Sequence, residues 1–151
     1  MEAGLSTPYK EDAAITIHAT CVAYDGRAAL ILGAAGSGKS SLALQMMAYG
    51  AALVADDQTV LTMQSGTLLA SPPPTIKGLI EARGVGLLKV ANVTNVPVTV
   101  AVDMDREEMQ RLPSRHMITL AGVEVPCLHK VDSPHFPAAI LQYLKGGRRD
   151  P

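Results

Sequence analysis

Gly33-Ala34-Ala35-Gly36-Ser37-Gly38-Lys39-Ser40 reads G-x-x-x-x-G-K-[ST], a phosphate-binding loop. Its glycines let the backbone curl so that N–H groups point inward at phosphate oxygens. Lys39 reaches the β- and γ-phosphates as a point charge, and the Ser40 hydroxyl is a ligand for Mg²⁺. Residues 28–32, Ala-Ala-Leu-Ile-Leu, read as a buried strand leading into the loop. Residues 40–49 read as a helix whose N-terminus adds partial positive charge where phosphates sit. This strand–loop–helix order predicts an α/β nucleotide-binding core that takes a nucleoside triphosphate or similar polyphosphate.

The chain of 151 residues is read as one domain. Residues 13–145 form its body, with a loose arm at 1–12 and a tail at 146–151. A chain of this size buries roughly 70% of its unfolded surface. Hydrophobic residues make up 48%, aromatics only 3%, and there is no Trp, so the core has to be aliphatic. A net charge of −1 gives no basic surface for nucleic acid or for a membrane. No apolar run reaches the ~18 residues of a transmembrane helix, and residues 1–10 lack a signal-peptide pattern. Cys21 and Cys127 are far apart and outside any C-x-x-C, which predicts reduced core thiols in a cytoplasmic protein.

Around the loop, residues 15–24 alternate and read as one strand. Asp25-Gly26 is a hairpin turn, so a hairpin precedes the phosphate loop. After the helix, 51–55 form a short strand ending in Asp56-Asp57. Residues 59–63 and 67–70 pair across Ser65-Gly66. Pro72-Pro73-Pro74 blocks regular structure. In Glu81-Ala82-Arg83-Gly84-Val85-Gly86, two glycines beside Glu and Arg predict backbone turning close to a ligand. Residues 96–102 are an apolar strand, 103–111 a charged stretch with one or two helical turns, 117–120 and 123–128 a hairpin, and 134–144 a last helix. The expected sheet is mixed, with several β-hairpins.

Phosphoryl transfer needs a cradle, a metal, a base for the nucleophile and added positive charge. Asp56 and Asp57 stand at the carboxyl end of a strand, the edge of an α/β sheet where ligands bind. One of them can hold Mg²⁺ or its water and the other can accept a hydroxyl proton. The bland alternative is a solvated turn. Glu81 is a candidate metal ligand and Arg83 a candidate phosphate clamp, against the alternative of an exposed ion pair. His18, alone in a strand, ordinarily reads as structural, as do His116, His129 and His135, which lack ligand spacing. Arg111 reads as part of a solvated face.

The elements Ile17-His18-Ala19-Thr20, Gly33 to Ser40, Ala55-Asp56-Asp57 and Glu81 to Gly86 occur in an order and spacing that resemble the catalytic domain of HPr kinase/phosphorylase. The loop alone is generic; A-D-D and E-x-R-G-x-G together are specific. The resemblance implies an ATP- and Mg²⁺-dependent kinase for a serine of HPr, the phosphocarrier protein of the sugar phosphotransferase system. It also implies the reverse reaction, with pyrophosphate as product. The implied fold is a phosphate-loop core like that of phosphoenolpyruvate carboxykinase, and the implied assembly a homo-oligomer, a hexamer. Carried over, residues Gly33, Ala34, Ala35, Gly36, Ser37, Gly38, Lys39, Ser40 and Ser41 bind ATP. Ser40, Glu81 and Asp56 serve the metal, Asp57 is the proton acceptor, and His18, Arg83 and Arg111 complete the active site. The chain departs from the family pattern at Ser41, where Glu is usual. It also departs at 125–130, where V-P-x-K-x-G-R is only partly present, and at Pro113, where Gly follows the family's Arg-Leu. Family members usually carry an N-terminal domain as well, so this chain is expected to be the short, catalytic-domain form. The competing readings are a small GTPase, a nucleotide-monophosphate kinase or a nucleotide-sensing module. The sequence lacks N-K-x-D and an Arg-rich lid, which speaks against the first two.

Overall fold

The structure, a computed structural model, describes residues 13–150; the arm expected at 1–12 and Pro151 lie outside the described residues. Eleven strands and two helices follow one another as β1 Ala14–Ile17, β2 Ala19–Tyr24, β3 Arg27–Leu32, α1 Lys39–Ala48, β4 Ala52–Ala55, β5 Thr59–Gln64, β6 Thr67–Ser71, β7 Leu79–Ala82, β8 Gly86–Lys89, β9 Val96–Glu107, β10 His116–Leu120, β11 Val123–Lys130 and α2 Phe136–Gly146.

Nine strands make one mixed sheet in the order β1-β5-β6-β9-β3-β2-β4, with β11 and then β10 branching from β9. The branch exists because β9 is long enough to change partners. Its Val96 and Pro97 pair antiparallel with β6, residues 98–103 run parallel to β3, and residues 101–107 run parallel to β11. One strand with three neighbours curls the sheet around itself. The curl produces two cores from the alternation of each strand. On β3, Ala28 and Leu30 face an inner core with Leu61, Met63 and Val125. Ala29 and Ile31 face the helices, with Leu42, Met46, Ile140 and Leu144. Each large side chain buried there contributes about 1.5–3 kcal/mol by leaving water.

The hairpins follow their turn residues. Asp25-Gly26, Ser65-Gly66 and Ala121-Gly122 all have positive φ at both positions, the type I′ geometry that matches strand twist. The Glu81-to-Gly86 segment, expected only to turn, is also a hairpin. Ala82 pairs with Gly86, and Gly84 has φ 84° between them. Helix α2 ends under Arg27, whose Nη1 donates to Leu144 O at 2.9 Å and Lys145 O at 3.2 Å. Those are two of the carbonyls a helix C-terminus leaves unpaired.

Four local expectations are corrected. Residues 103–107 are not helical turns but the end of β9. Ladder bonds to β11 outweigh the helix propensity of a charged stretch. The strand expected at 15–24 breaks at His18, because β1 pairs with β5 while β2 pairs with β3 and β4. The proline run holds a short 3₁₀ turn, Pro74–Ile76, and α2 starts at Phe136 rather than at 134.

The topology gathers the chemistry at one edge. β2 is antiparallel to both β3 and β4, so β3 and β4 point the same way, as does β9. The loop after β3, Asp56-Asp57 after β4, the Asp103-to-Asp105 end of β9 and His18 before β2 therefore share the carboxyl edge of the sheet.

Candidate functional site

The loop is held in shape before anything binds to it. Gly33 has φ 149°, and a Cβ there would stand 2.5 Å from Ser37 Oγ. Gly38, the residue before α1, has φ 99°, and no side chain caps that helix start. The loop closes on itself through Ser37 N–H to Ala34 O, 3.0 Å. From the end of β9, Asp105 accepts the Ala34 N–H on both carboxylate oxygens, at 3.1 Å each. Buried Lys39 donates from Nζ to Gly33 O at 2.8 Å and to Ala34 O at 3.2 Å, arching over the loop.

Asp56 is the knot of the site. Its Oδ1 accepts the Ser40 hydroxyl at 2.6 Å and the Thr20 hydroxyl at 3.1 Å. Its Oδ2 accepts the Glu81 backbone N–H at 3.0 Å. One buried carboxylate thus ties α1, β2 and β7 to the end of β4, and its charge is matched by three donors. Asp57 is treated differently. Its carboxylate is 64% exposed. Its backbone is fixed in the left-handed region at φ 68°, by its N–H to Thr20 Oγ1 (3.1 Å) and its carbonyl to Ala19 N–H (3.0 Å). Asp tolerates that region better than most residues, and such backbone is enriched at active sites.

His18 bridges the two charged groups, with Nδ1 3.4 Å from Asp57 Oδ1 and Nε2 3.4 Å from Lys39 Nζ. Lysine has only donors, so Nε2 accepts and the proton sits on Nδ1, facing Asp57. Both contacts are long.

A cleft of about 700 Å³ opens over these groups, lined by Lys39 and Ser40 of the loop, Asp56, Asp57, Glu81 and Arg83. Ala35, Gly36, Gly38 and Ser41 also line it. Sequence-predicted residues from three separate segments therefore line one cleft, and His18 stands against two of them. Arg111 does not line this cleft; it is exposed on the loop between β9 and β10. The donors suit the ion the motif implies. Ser40, Asp56, Asp57 and Glu81 offer only oxygen, the hard set preferred by Mg²⁺. Two residues were missed from sequence. Thr20 and Asp105 act through backbone and carboxylate partners 37 and 71 positions away, and no local pattern reports that.

The model of the HPr Serine kinase C-terminal domain matches residues 11–128, most of the chain. The chain belongs to that family. The HPr kinase/phosphorylase of Caldicellulosiruptor bescii is 34% identical over 127 residues, 76% of this chain and 41% of that protein. The HPr kinase/phosphorylase of Enterococcus faecalis is 31% identical over 124 residues, 74% of this chain and 40% of its own length. The chain thus spans about two fifths of the length of these HPr kinase relatives. Among solved structures, the HPr(Ser) kinase/phosphatase of Coxiella burnetii superposes with a TM-score of 0.74 at 26% identity, covering 87% of this chain and 88% of that one. The curled mixed α/β sheet is therefore an HPr kinase fold.

Proposed function

We propose that this chain is an ATP- and Mg²⁺-dependent kinase for a serine of HPr, and that the same cleft runs the reverse phosphorolysis, releasing pyrophosphate. The observation that carries this reading is the Ser40–Asp56 hydrogen bond beneath a cleft that also presents Lys39, Asp57, Glu81 and Arg83. A phosphate-loop serine beside a buried aspartate is the pair that holds Mg²⁺ in phosphate-loop enzymes. Residues 13–145 then act as the catalytic unit, with the core of the phosphoenolpyruvate carboxykinase type that the family resemblance implies.

Each group has a task in this scheme. The loop N–H groups and Lys39 take the β- and γ-phosphates, where negative charge migrates during transfer. Ser40, Asp56 and Glu81 hold the metal, which when bound neutralises phosphate charge. Asp57, exposed and fixed at its backbone, accepts the serine proton as the new O–P bond forms and the bond to ADP breaks. His18 keeps its Nδ1–H toward that carboxylate and its Nε2 toward Lys39, spacing the base from the cradle. Arg83, which lines the cleft, clamps phosphate, and Arg111 is a further cation carried on its loop. In reverse, protonated Asp57 returns the proton to the departing serine oxygen.

A protein acceptor suits the rim. Val85 is 75% exposed and lines the cleft, and Leu87 beside it is 65% exposed. An apolar lip next to Arg83 suits a protein surface better than a small hydrophilic substrate. Family resemblance makes the assembly a hexamer, which light scattering reads directly. No helix among the described residues is long and apolar enough to cross a membrane.

ATP turnover measured with and without purified HPr tests the proposal. A kinase consumes ATP only when HPr is added. Equal turnover without HPr makes the chain a simple nucleoside triphosphatase, and ATP binding without turnover makes it a sensor.

A further inference from the structure

A second cluster of side chains lies at the same sheet edge but does not line the phosphate cleft. The segment after β9 is tied to the end of β11 by Glu108 N–H to Lys130 O at 2.8 Å. The Glu108 carboxylate divides its two oxygens. Oε2 accepts the N–H groups of Met109 at 3.1 Å and Gln110 at 3.2 Å. Oε1 is left to two imidazoles, His116 Nε2 at 2.8 Å and His129 Nδ1 at 4.0 Å. The rings stack at 3.9 Å with 5° between their planes. The three side chains are only 11%, 30% and 18% exposed, for Glu108, His116 and His129.

A hydrogen bond to Glu108 accounts for His116. It does not account for His129, which at 4.0 Å is beyond hydrogen-bond range of the same oxygen. One atom from each of the three residues lies within 4.8 Å of the other two.

We propose that Glu108, His116 and His129 form a site for a divalent transition-metal ion of the zinc class. Imidazole donors suit Zn²⁺ and its neighbours and serve Mg²⁺ poorly, so this ion is distinct from the one in the cleft. Bonds of about 2.1 Å place tetrahedral donors about 3.4 Å apart, so His129 closes on Glu108 and His116 opens from it by similar small amounts, and the two nearly parallel rings turn out of their stack so that their nitrogens converge on one ion. Three protein ligands leave the fourth position to water. The site has a mechanical consequence. Glu108 and His116 bracket the loop 109–115, where Met109 is 85% and Leu112 69% exposed. One ion fastens both ends of that loop to β11 through His129.

The sequence gives no hint of this. His116 and His129 are thirteen residues apart and Glu108 precedes both, a spacing no common metal motif uses. The hairpin register supplies the proximity. His116 pairs with Cys127, and His129 is two residues further along the same strand face.

The test is competition for Zn²⁺ between the full chain and a chromophoric chelator, with excess Mg²⁺ present. Wild type should bind one equivalent, unaffected by Mg²⁺. His129→Ala and His116→Ala should each weaken binding by at least about 100-fold, the upper end of the effect of losing even a supporting partner of a ligand. Cys127→Ser should bind as wild type does. Far-UV circular dichroism verifies that the variants fold, and His129→Asn replaces His129→Ala if that variant does not. Zn²⁺ should also slow tryptic cleavage after Arg111 several-fold in wild type but not in the variants. Absence of a Zn²⁺ equivalent in wild type, unchanged affinity in the histidine variants, or cleavage indifferent to Zn²⁺ overturns the proposal.

Discussion

The Ser40 hydroxyl donates to Asp56 Oδ1 at 2.6 Å, joining the first turn of α1 to the end of β4 across sixteen residues. The proposed function gives both groups, together with Glu81, to the metal, so each should control the Mg²⁺ requirement. Ser40→Ala and Glu81→Gln are expected to raise the Mg²⁺ concentration for half-maximal transfer roughly 10-fold, the scale of a lost charge-assisted contact. A Mg²⁺ titration of HPr phosphorylation reads this. Glu81 keeps its backbone bond to Asp56 in the variant, so the fold should not change.

Lys39→Ala should depress transfer by at least roughly 10²-fold, as for other preorganised donors aimed at developing charge. His18 then loses its Nε2 donor as well. Single-turnover rates at saturating ATP measure the effect, and near-normal rates would remove Lys39 from the site.

Thr20→Val isolates the support beneath the two aspartates. The hydroxyl donates to Asp56 and accepts from the Asp57 N–H, in a buried position. Losing it leaves one buried and one part-buried polar group short of a partner, at a cost of about 1–3 kcal/mol. Each kcal/mol lowers Tm by about 2–4 °C in a chain of this size. Because Thr20 does not line the cleft, kcat should fall while KM for ATP changes little. Calorimetry and steady-state kinetics on one preparation check both.

The thiols give a prediction independent of catalysis. Burial pushes the Cys127 thiol up to about 11, with the Asp103 charge adding to the effect, and burial pushes Cys21 higher still. Both remain thiols, not thiolates, at neutral pH, so neither is an effective nucleophile. Ellman's reagent should find almost no reactive cysteine in the folded chain at pH 8 and two equivalents after unfolding in guanidinium.

The sequence exposes the site more fully than the sheet. Gly33 to Ser40, Asp56-Asp57 and Glu81 to Arg83 are short contiguous patterns whose residue types answer to phosphate and metal chemistry, and each contributes lining to one cleft. The three two-residue hairpins were equally visible, since Asp25-Gly26, Ser65-Gly66 and Ala121-Gly122 carry their backbone geometry in their residue types. The continuation of β9 past Val102 was not visible. Asp103 to Glu107 is polar because it runs along a sheet edge, and a polar strand end has the composition of a solvated helix. Its partners on β3 and β11 are set by tertiary pairing. His18 by its residue type alone looked structural for the same reason, and only the family resemblance brought it to the site. Only the break between β1 and β2 places it beside Asp57 and Lys39.

Asp57 carries the central claim, because the account makes one exposed carboxylate serve both directions of a single site. The decisive measurement uses wild type and Asp57→Asn side by side. Labelled ATP, Mg²⁺ and HPr report phosphorylation, with the modified serine mapped by mass; phosphoserine-HPr and inorganic phosphate report pyrophosphate release. Wild type should label one HPr serine and release pyrophosphate in the reverse assay. Asp57→Asn should lose both activities together, by roughly 10²-fold or more, while retaining ATP binding. Unlabelled HPr with wild type, or an Asp57→Asn variant that keeps either activity at the wild-type rate, contradicts the account.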